Sequence, residues 1–244
     1  MHLLDLTLDT GPANLALDEA LLDVSEQMAD DDSSLPAETL RLWEPREVLV
    51  VVGRSSKIAE EVNLTRCRQQ GVPVLRRTSG GAAIVAGPGC LMYSLVLHYR
   101  LRPQLRAIDL AHRFVLGTLA RALGEFVPGI EHLGTSDLAI GDRKFSGNSM
   151  RCRRESFLYH GTLLYDFPLP QIEQLLRTTP RPPDYRAGRK HAAFLANLPL
   201  GADELRKILI RTWDARPCGI AWPESKMRRL IEEKYSHEDW NWKR

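Results

Sequence analysis

Residues 73–99 read PVLRRTSGGAAIVAGPGCLMYSLVLHY, and how that stretch divides decides the fold. Pro73–Leu75 predicts a short strand, and Leu91–Tyr99, dense in large apolar residues, a longer one. Between them RRTSGGAAIVAGPG reads as a glycine-punctuated turn. Glycines let a backbone approach a ligand closely, and successive N–H groups can cradle an anion. Arg76 and Arg77 add forked donors suited to a carboxylate or phosphate. A plain glycine turn with solvated arginines accounts for the same residues. The segment is not a P-loop, because no GxxxxGK[ST] occurs.

Working outward toward the N-terminus, Glu60–Gln70 predicts a helix closed by Gly71, and Val48–Val52 and Thr39–Trp43 predict strands. Asp30–Pro36 is a polar loop. Asn14–Ser25 carries Leu15, Ala16, Glu19, Ala20, Leu22 and Asp23 at helical spacing, after a first strand at His2–Leu6. On the other side, Ile108–Leu123 is an amphipathic helix ended by Gly124. Asp137–Ile140 and Arg143–Arg151 form a hairpin about Gly141-Asp142, and Phe157–Tyr165 is a strand. Leu169–Arg177, Ala202–Trp213 and Glu224–Glu233 predict helices, with a Pro/Arg-rich loop at Thr178–Gly188. Strands and helices interleave with hairpins, so the expected class is α/β (α+β) with a mixed, largely antiparallel sheet and flanking helices.

The 244 residues suit one large domain with a small appendage, divided here as 1–222 and 223–244. The 33 basic and 31 acidic residues nearly cancel, leaving no electrostatic footprint for nucleic acid. No apolar run approaches the roughly 20 residues that span a bilayer, and MHLLDLTLDTG lacks the features of a signal peptide. Cys67, Cys90, Cys152 and Cys218 are scattered without a CxxC, the usage of reduced thiols. The expected location is the cytoplasm.

Two further stretches carry chemistry. In Gly141–Asn148 (GDRKFSGN), strand alternation puts Lys144, Ser146 and Asn148 on one face and Phe145 on the other. A lysine there could stabilise charge developing on an acyl carbonyl or phosphate oxygen. An exposed polar edge is the alternative. In Tyr159-His160-Gly161-Thr162, a glycine within a strand hints at close approach of another chain or ligand. A lone histidine is more often structural, and spacing alone proposes no Ser-His-Asp or Cys-His dyad.

Taken in order, several pieces resemble the lipoate–protein ligase A family. They are Asn14-Leu15-Ala16, Leu42-Trp43, Val52-Gly53-Arg54, Arg76–Ala83, Gly141–Gly147 and His160–Leu164, over about residues 1–215. The resemblance implies the sheet and flanking helices of the class II biotin/lipoate ligase-like catalytic domain. It implies lipoate or octanoate activated by ATP as an acyl-adenylate, then moved to a lysine of a lipoyl-acceptor domain. Such acceptors belong to 2-oxoacid dehydrogenase or glycine-cleavage type proteins. Lys144 would be catalytic. Arg77, Ser79, Gly80, Gly81, Ala82, Asp137, Ser146, His160 and Thr162 would bind substrate and adenylate, with Mg²⁺ on Asp137. Leu15, Leu17, Trp43 and Ile84 would line an acyl tunnel. No membrane or nucleic-acid partner is implied.

The chain departs from the family pattern at Ala82, where a third glycine is usual, at Ala86-Gly87, at Cys90 and at Ser136. Pro88 is similar to the octanoyltransferases. Lys234–Trp242 (KYSHEDWNW) resembles the linker to an accessory domain, which a separate subunit could supply. The alternatives are an acyltransferase that dispenses with ATP and works through a cysteine, or a non-catalytic lipoyl-binding paralogue. Gly53-Arg54-Ser55-Ser56 is a poor match to a biotin ligase loop.

Overall fold

Side-chain alternation along two long strands sorts this sequence into two faces, and the candidate site lies on one of them. The computed structural model describes residues 1–28, 38–177, 182–217 and 222–243. The chain runs through β1 (His2–Asp5), α1 (Gly11–Met28), β2 (Thr39–Trp43) and β3 (Leu49–Val52). It continues through α2 (Ile58–Glu61), α3 (Leu64–Gln69), β4 (Val74–Arg76), β5 (Ile84–Ala86) and β6 (Cys90–His98). Next come α4 (Ile108–Gly124), β7 (Ile130–Leu133), β8 (Asp137–Ile140), β9 (Arg143–Cys152) and β10 (Ser156–Leu164). The last elements are α5 (Pro170–Leu175), α6 (His191–Phe194), α7 (Ala202–Thr212), β11 (Arg216–Pro217), α8 (Glu224–Leu230), a π turn at Ile231–Tyr235, and α9 (Glu238–Asn241).

An eight-stranded sheet has the order β11-β1-β2-β6-β10-β9-β8-β7, and a smaller sheet the order β4-β3-β5. Among the described strands, β1 pairs in parallel with β2 and β11, and β3 with β4; the other strand pairings are antiparallel. The mixed, mostly antiparallel α/β class is therefore as expected. All nine residues of β6 and of β10 are buried, and the two pair from Ser156↔His98 to Leu164↔Cys90. Leu91, Tyr93, Leu95 and Leu97 share one core with Phe157, Tyr159 and Leu163 and with α4 and α7. The opposite face carries Cys90, Met92, Leu164 and Trp43 against α1 and the small sheet. Period two thus delivers Ser94, His160 and Thr162 to the α1 face.

Several elements differ from the sequence reading. The helix expected at Glu60–Gln70 is two helices, because Asn63 turns out of helical geometry and its side chain accepts from Arg66 N, starting α3. Ile84–Ala86, read as loop, forms β5 by pairing antiparallel with β3. Ile130–Leu133 forms an unforeseen β7 against β8. Glu224–Glu233 is helical as expected, α-helical to Leu230 and then a π-helix over Ile231–Tyr235. Strict alternation in β9 also fails. Leu138 opposes Ser146 while Ala139 opposes Lys144, so Phe145 is an extra residue in a β-bulge. Phe145 stays in the core, but the bulge parts Lys144 from Ser146 and Asn148, which bond each other, and the Asn148 side chain reaches the Tyr93 hydroxyl and fits against Gly161. The Asp30–Pro36 loop, Cys218 and residues 178–181 lie outside the described residues. Among those described, no helix is long and apolar enough to cross a membrane.

Candidate functional site

Residues from both sheets and α1 line a cleft of about 770 Å³. Its inner part is apolar, walled by Leu15, Trp43, Val51, Ile84, Met92 and Leu164, and its outer part holds Arg77, Asp137, Lys144, Ser146, His160 and Thr162. Leu17, expected in the same tunnel, is fully buried in the core and does not line the cleft. Residue 17 lies ~200° around the helix from residue 15, so the two leucines cannot face the same way.

The glycine loop is built around its arginines. Arg77, nearly buried, donates to the carbonyls of Val51 at 3.1 Å and Ala82 at 3.0 Å, to Gly80, and to Ser79 Oγ at 3.0 Å. Burial lowers its pKa to about 10, leaving the cation intact at neutral pH. Arg76 is wholly buried and turns away from the cleft, donating to the carbonyls of Gly53 (2.7 Å), Ser56 (3.0 Å), Trp240 (3.1 Å) and Lys243 (2.6 Å). Neither arginine is a solvated side chain of a plain turn. Gly53 is obligatory here, since a Cβ on it would lie 1.9 Å from the Gly81 carbonyl oxygen. Gly80, Gly81 and Ala82 are exposed, and among the described residues nothing accepts from their N–H groups. Those donors beside a buried guanidinium suit an anion.

Ser79 has no exposure. Its hydroxyl sits 2.5 Å from His160 Nε2, and His160 Nδ1 lies 3.4 Å from Asp18 Oδ2. Asp18 also takes Arg41 at 2.6 Å and Ser94 Oγ at 2.7 Å. Burial alone would raise the Asp18 carboxyl, but Arg41, His160 and Ser94 outweigh it and hold the pKa below the ordinary value. With Asp18 anionic, His160 donates from Nδ1 and accepts from Ser79, which in turn accepts from Arg77 Nε. The chain Arg41–Asp18–His160–Ser79 therefore ends by fixing the Arg77 fork. Sequence spacing could not reveal it, although a carboxylate amid Leu15, Ala16, Leu17 and Ala20 was a signal.

Across the cleft, Lys144 Nζ contacts Asp137 Oδ1 at 2.7 Å, and Tyr185 donates to Asp137 Oδ2 at 2.8 Å. Tyr185 was hidden in the Pro/Arg-rich loop. A Cβ on Gly147 would lie 2.9 Å from Lys144 Nζ, so the missing side chain is the space the ammonium occupies. Thr162 Oγ1 accepts from Gly147 N at 3.3 Å, and the Ser146 hydroxyl accepts from Asn148 Nδ2 at 3.0 Å. Asp137, expected to hold Mg²⁺, gives both oxygens to Lys144 and Tyr185 and does not fit as a ready ligand. Among the described residues no three His, Cys, Asp or Glu are grouped to hold a metal ion. Cys67 and Cys90 are buried, with thiols that burial pushes up, and Cys152 is exposed. None of these three lines the cleft.

Comparison with known proteins fits this geometry. The family described as the lipoyl protein ligase A/B catalytic domain matches residues 11–213. A protein of Aeropyrum pernix named a lipoate-protein ligase A is 29% identical, over 92% of this chain and 74% of its own length. Lipoate–protein ligase 1 of Staphylococcus aureus is 27% identical, over 93% of this chain and 63% of its own. Octanoyltransferase LipM of Symbiobacterium thermophilum is 27% identical, over 98% and 97%. In fold, the chain is similar to a bi-partite lipoate protein ligase of Thermoplasma acidophilum, with TM-score 0.83 at 24% identity over 99% of this chain and 95% of that one. A lipoate-protein ligase A bound with ATP gives TM-score 0.76 at 25% identity, over 99% and 98%.

Proposed function

The chain belongs to the lipoyl protein ligase A/B catalytic-domain family, and from that premise we propose that its cleft activates lipoate or octanoate with ATP as an acyl-adenylate. The acyl group then passes to a lysine of a lipoyl-acceptor domain. The observation that carries this reading is the cleft's polarity: an apolar inner end opening onto Arg77, the free N–H groups of the glycine loop, and Lys144. An eight-carbon chain buried there gains roughly 0.8 kcal/mol per CH₂, enough to seat a small acid by its tail. The carboxylate and the α-phosphate then meet the cationic end. When the acceptor amine attacks the acyl carbon, negative charge grows on the carbonyl oxygen. Lys144, shifting from Asp137, offsets that charge, and AMP leaves with its phosphate against the glycine loop. Arg77 and Ser79 act together, because each fixes the other. A Mg²⁺ ion accompanying ATP would supply phosphate charge neutralisation, and no step here depends on it.

The test is to incubate the purified protein with lipoate, Mg-ATP and an apo-acceptor domain, reading product mass. Lipoylation that requires ATP is the expected result. A second reading, transfer from an octanoyl thioester without ATP, is favoured by the end-to-end similarity to octanoyltransferase LipM. Against it, none of the three described cysteines lines the cleft. Single Ser substitutions at Cys90, Cys152 and Cys218 should leave activity within a few-fold. An acyl-thioester trapped on the wild type, with one such variant inactive, would move the assignment to the transferase.

A further inference from the structure

The segment Lys234–Lys243 reaches back to the glycine loop. Arg76, one residue before Arg77, is bonded to it through both its backbone and its guanidinium. Its backbone N–H donates to Asn241 Oδ1 at 3.0 Å, and its carbonyl accepts from Trp240 Nε1 at 2.9 Å. Its guanidinium donates to the Trp240 and Lys243 carbonyls and, in the other direction, to the Gly53–Ser56 turn. That turn holds the rest of the loop: Arg54 N donates to Ser79 O at 2.8 Å and Ser56 Oγ to Gly81 O at 3.0 Å. A second tie runs through α1. Glu19 accepts from Lys234 Nζ at 2.8 and 2.6 Å, from the Tyr235 hydroxyl at 2.6 Å and from Thr78 Oγ1 at 3.2 Å. Tyr235 is 1% exposed, and Lys234 and Lys243 stand over the Trp240 ring at 4.0 and 3.8 Å from its centre.

We propose that Lys234, Tyr235, Trp240 and Asn241 are positioning residues for the anion-binding loop, so that the C-terminal segment sets the affinity for the adenylate end of the substrate. The inference rests on the ligase reading for its ligand, although the coupling itself does not. Thr78 is tied to Glu19 and Arg76 to residues 240–243, so an anchor flanks Arg77 on either side. Those anchors act together with the Ser79–His160 chain to hold the one fork that Arg77 presents. The apolar end of the cleft, with Leu15, Trp43, Met92 and Leu164, shares a hydrophobic cluster with Tyr235 and Trp240, whereas the hydrogen bonds of the segment go to Arg76 and Glu19.

The test uses the full chain with Trp240→Phe, which keeps the ring packing and deletes the N–H to Arg76. Lys234→Ala and its conservative partner Lys234→Arg accompany it. Amide hydrogen exchange is followed at Arg54, Arg77 and Ala83, whose N–H groups are hydrogen-bonded, and in β6, and affinity is measured for a non-hydrolysable octanoyl-adenylate analogue. In Trp240→Phe and Lys234→Ala, exchange at Arg54, Arg77 and Ala83 should rise at least about 10-fold with β6 unchanged. Analogue affinity should fall by a similar factor, and Lys234→Arg should restore most of both. If Lys234→Ala does not fold, Trp240→Phe decides. Unchanged loop exchange in a folded Trp240→Phe overturns the positioning role, whatever the ligand. Faster exchange with unchanged analogue affinity overturns the link to substrate. A wild type that binds no analogue, yet shows the exchange response, removes the ligase reading and the affinity claim with it.

Discussion

Lys144 and Gly147 make one functional unit out of two residues three apart. Lys144→Ala should retain the wild-type circular dichroism and lower acyl transfer at least about 100-fold, the usual loss for one charge-stabilising donor in a dry site. Near-normal turnover would remove Lys144 from the chemistry. Gly147→Ala is the sharper probe. The added methyl would meet Nζ at 2.9 Å, and the end of a lysine can swing aside cheaply. Stability should therefore fall by less than about 1 kcal/mol while the ammonium leaves its place beside Asp137. We expect at least a ten-fold loss of transfer rate with a melting temperature within a few degrees of wild type; equal losses in Gly147→Ala and in a remote surface variant would sink it. Much of this scale was legible in the sequence. Lys144, Arg77, Ser146, His160 and Thr162, picked out in the sequence, all line the cleft. What was not legible depends on contacts across the fold: Asp18 behind His160, Tyr185 on Asp137, and the outward turn of Arg76.

At the scale of elements, α1 carries two adjacent buried carboxylates that serve two networks, Asp18 toward His160 and Glu19 toward Lys234 and Thr78. Burial tends to raise Glu19, but Lys234, Tyr235 and Thr78 outweigh it and hold its pKa below 4.5. A carboxyl depressed in the folded state contributes stability above its unfolded value and loses it as pH falls through the folded value. Thermal stability of the wild type should therefore drop on acidification below about pH 4.5, the unfolded range. Glu19→Gln should be less stable at pH 7 and show a flatter acid limb. Parallel melting curves for the two proteins from pH 7 to 3 would contradict this. Elements with strong pattern were readable: β6 from its density of large apolar residues, β10 from the apolar residues that flank His160–Thr162, α4 from its period, the β8–β9 hairpin from Gly141-Asp142. Those read wrongly are local choices without a pattern. Three residues, Ile84–Ala86, cannot display alternation, and the extra Phe145 is invisible until β8 supplies the register.

On the scale of the molecule, the chain spans 74% and 63% of the lengths of two relatives named as ligases. The bonds between Arg76 and the C-terminal segment carry one more consequence, which concerns the chain during its synthesis. Arg76 and Trp240 are 164 residues apart in sequence, a separation that takes on the order of 10–30 s to translate. For all that time the growing chain can already pair β3 with β4, yet its anion-binding loop lacks the anchors that shape it. On the proposed function, a ribosome-bound or prematurely released chain would thus be a poor trap for activated acyl groups until residues 240–243 have emerged.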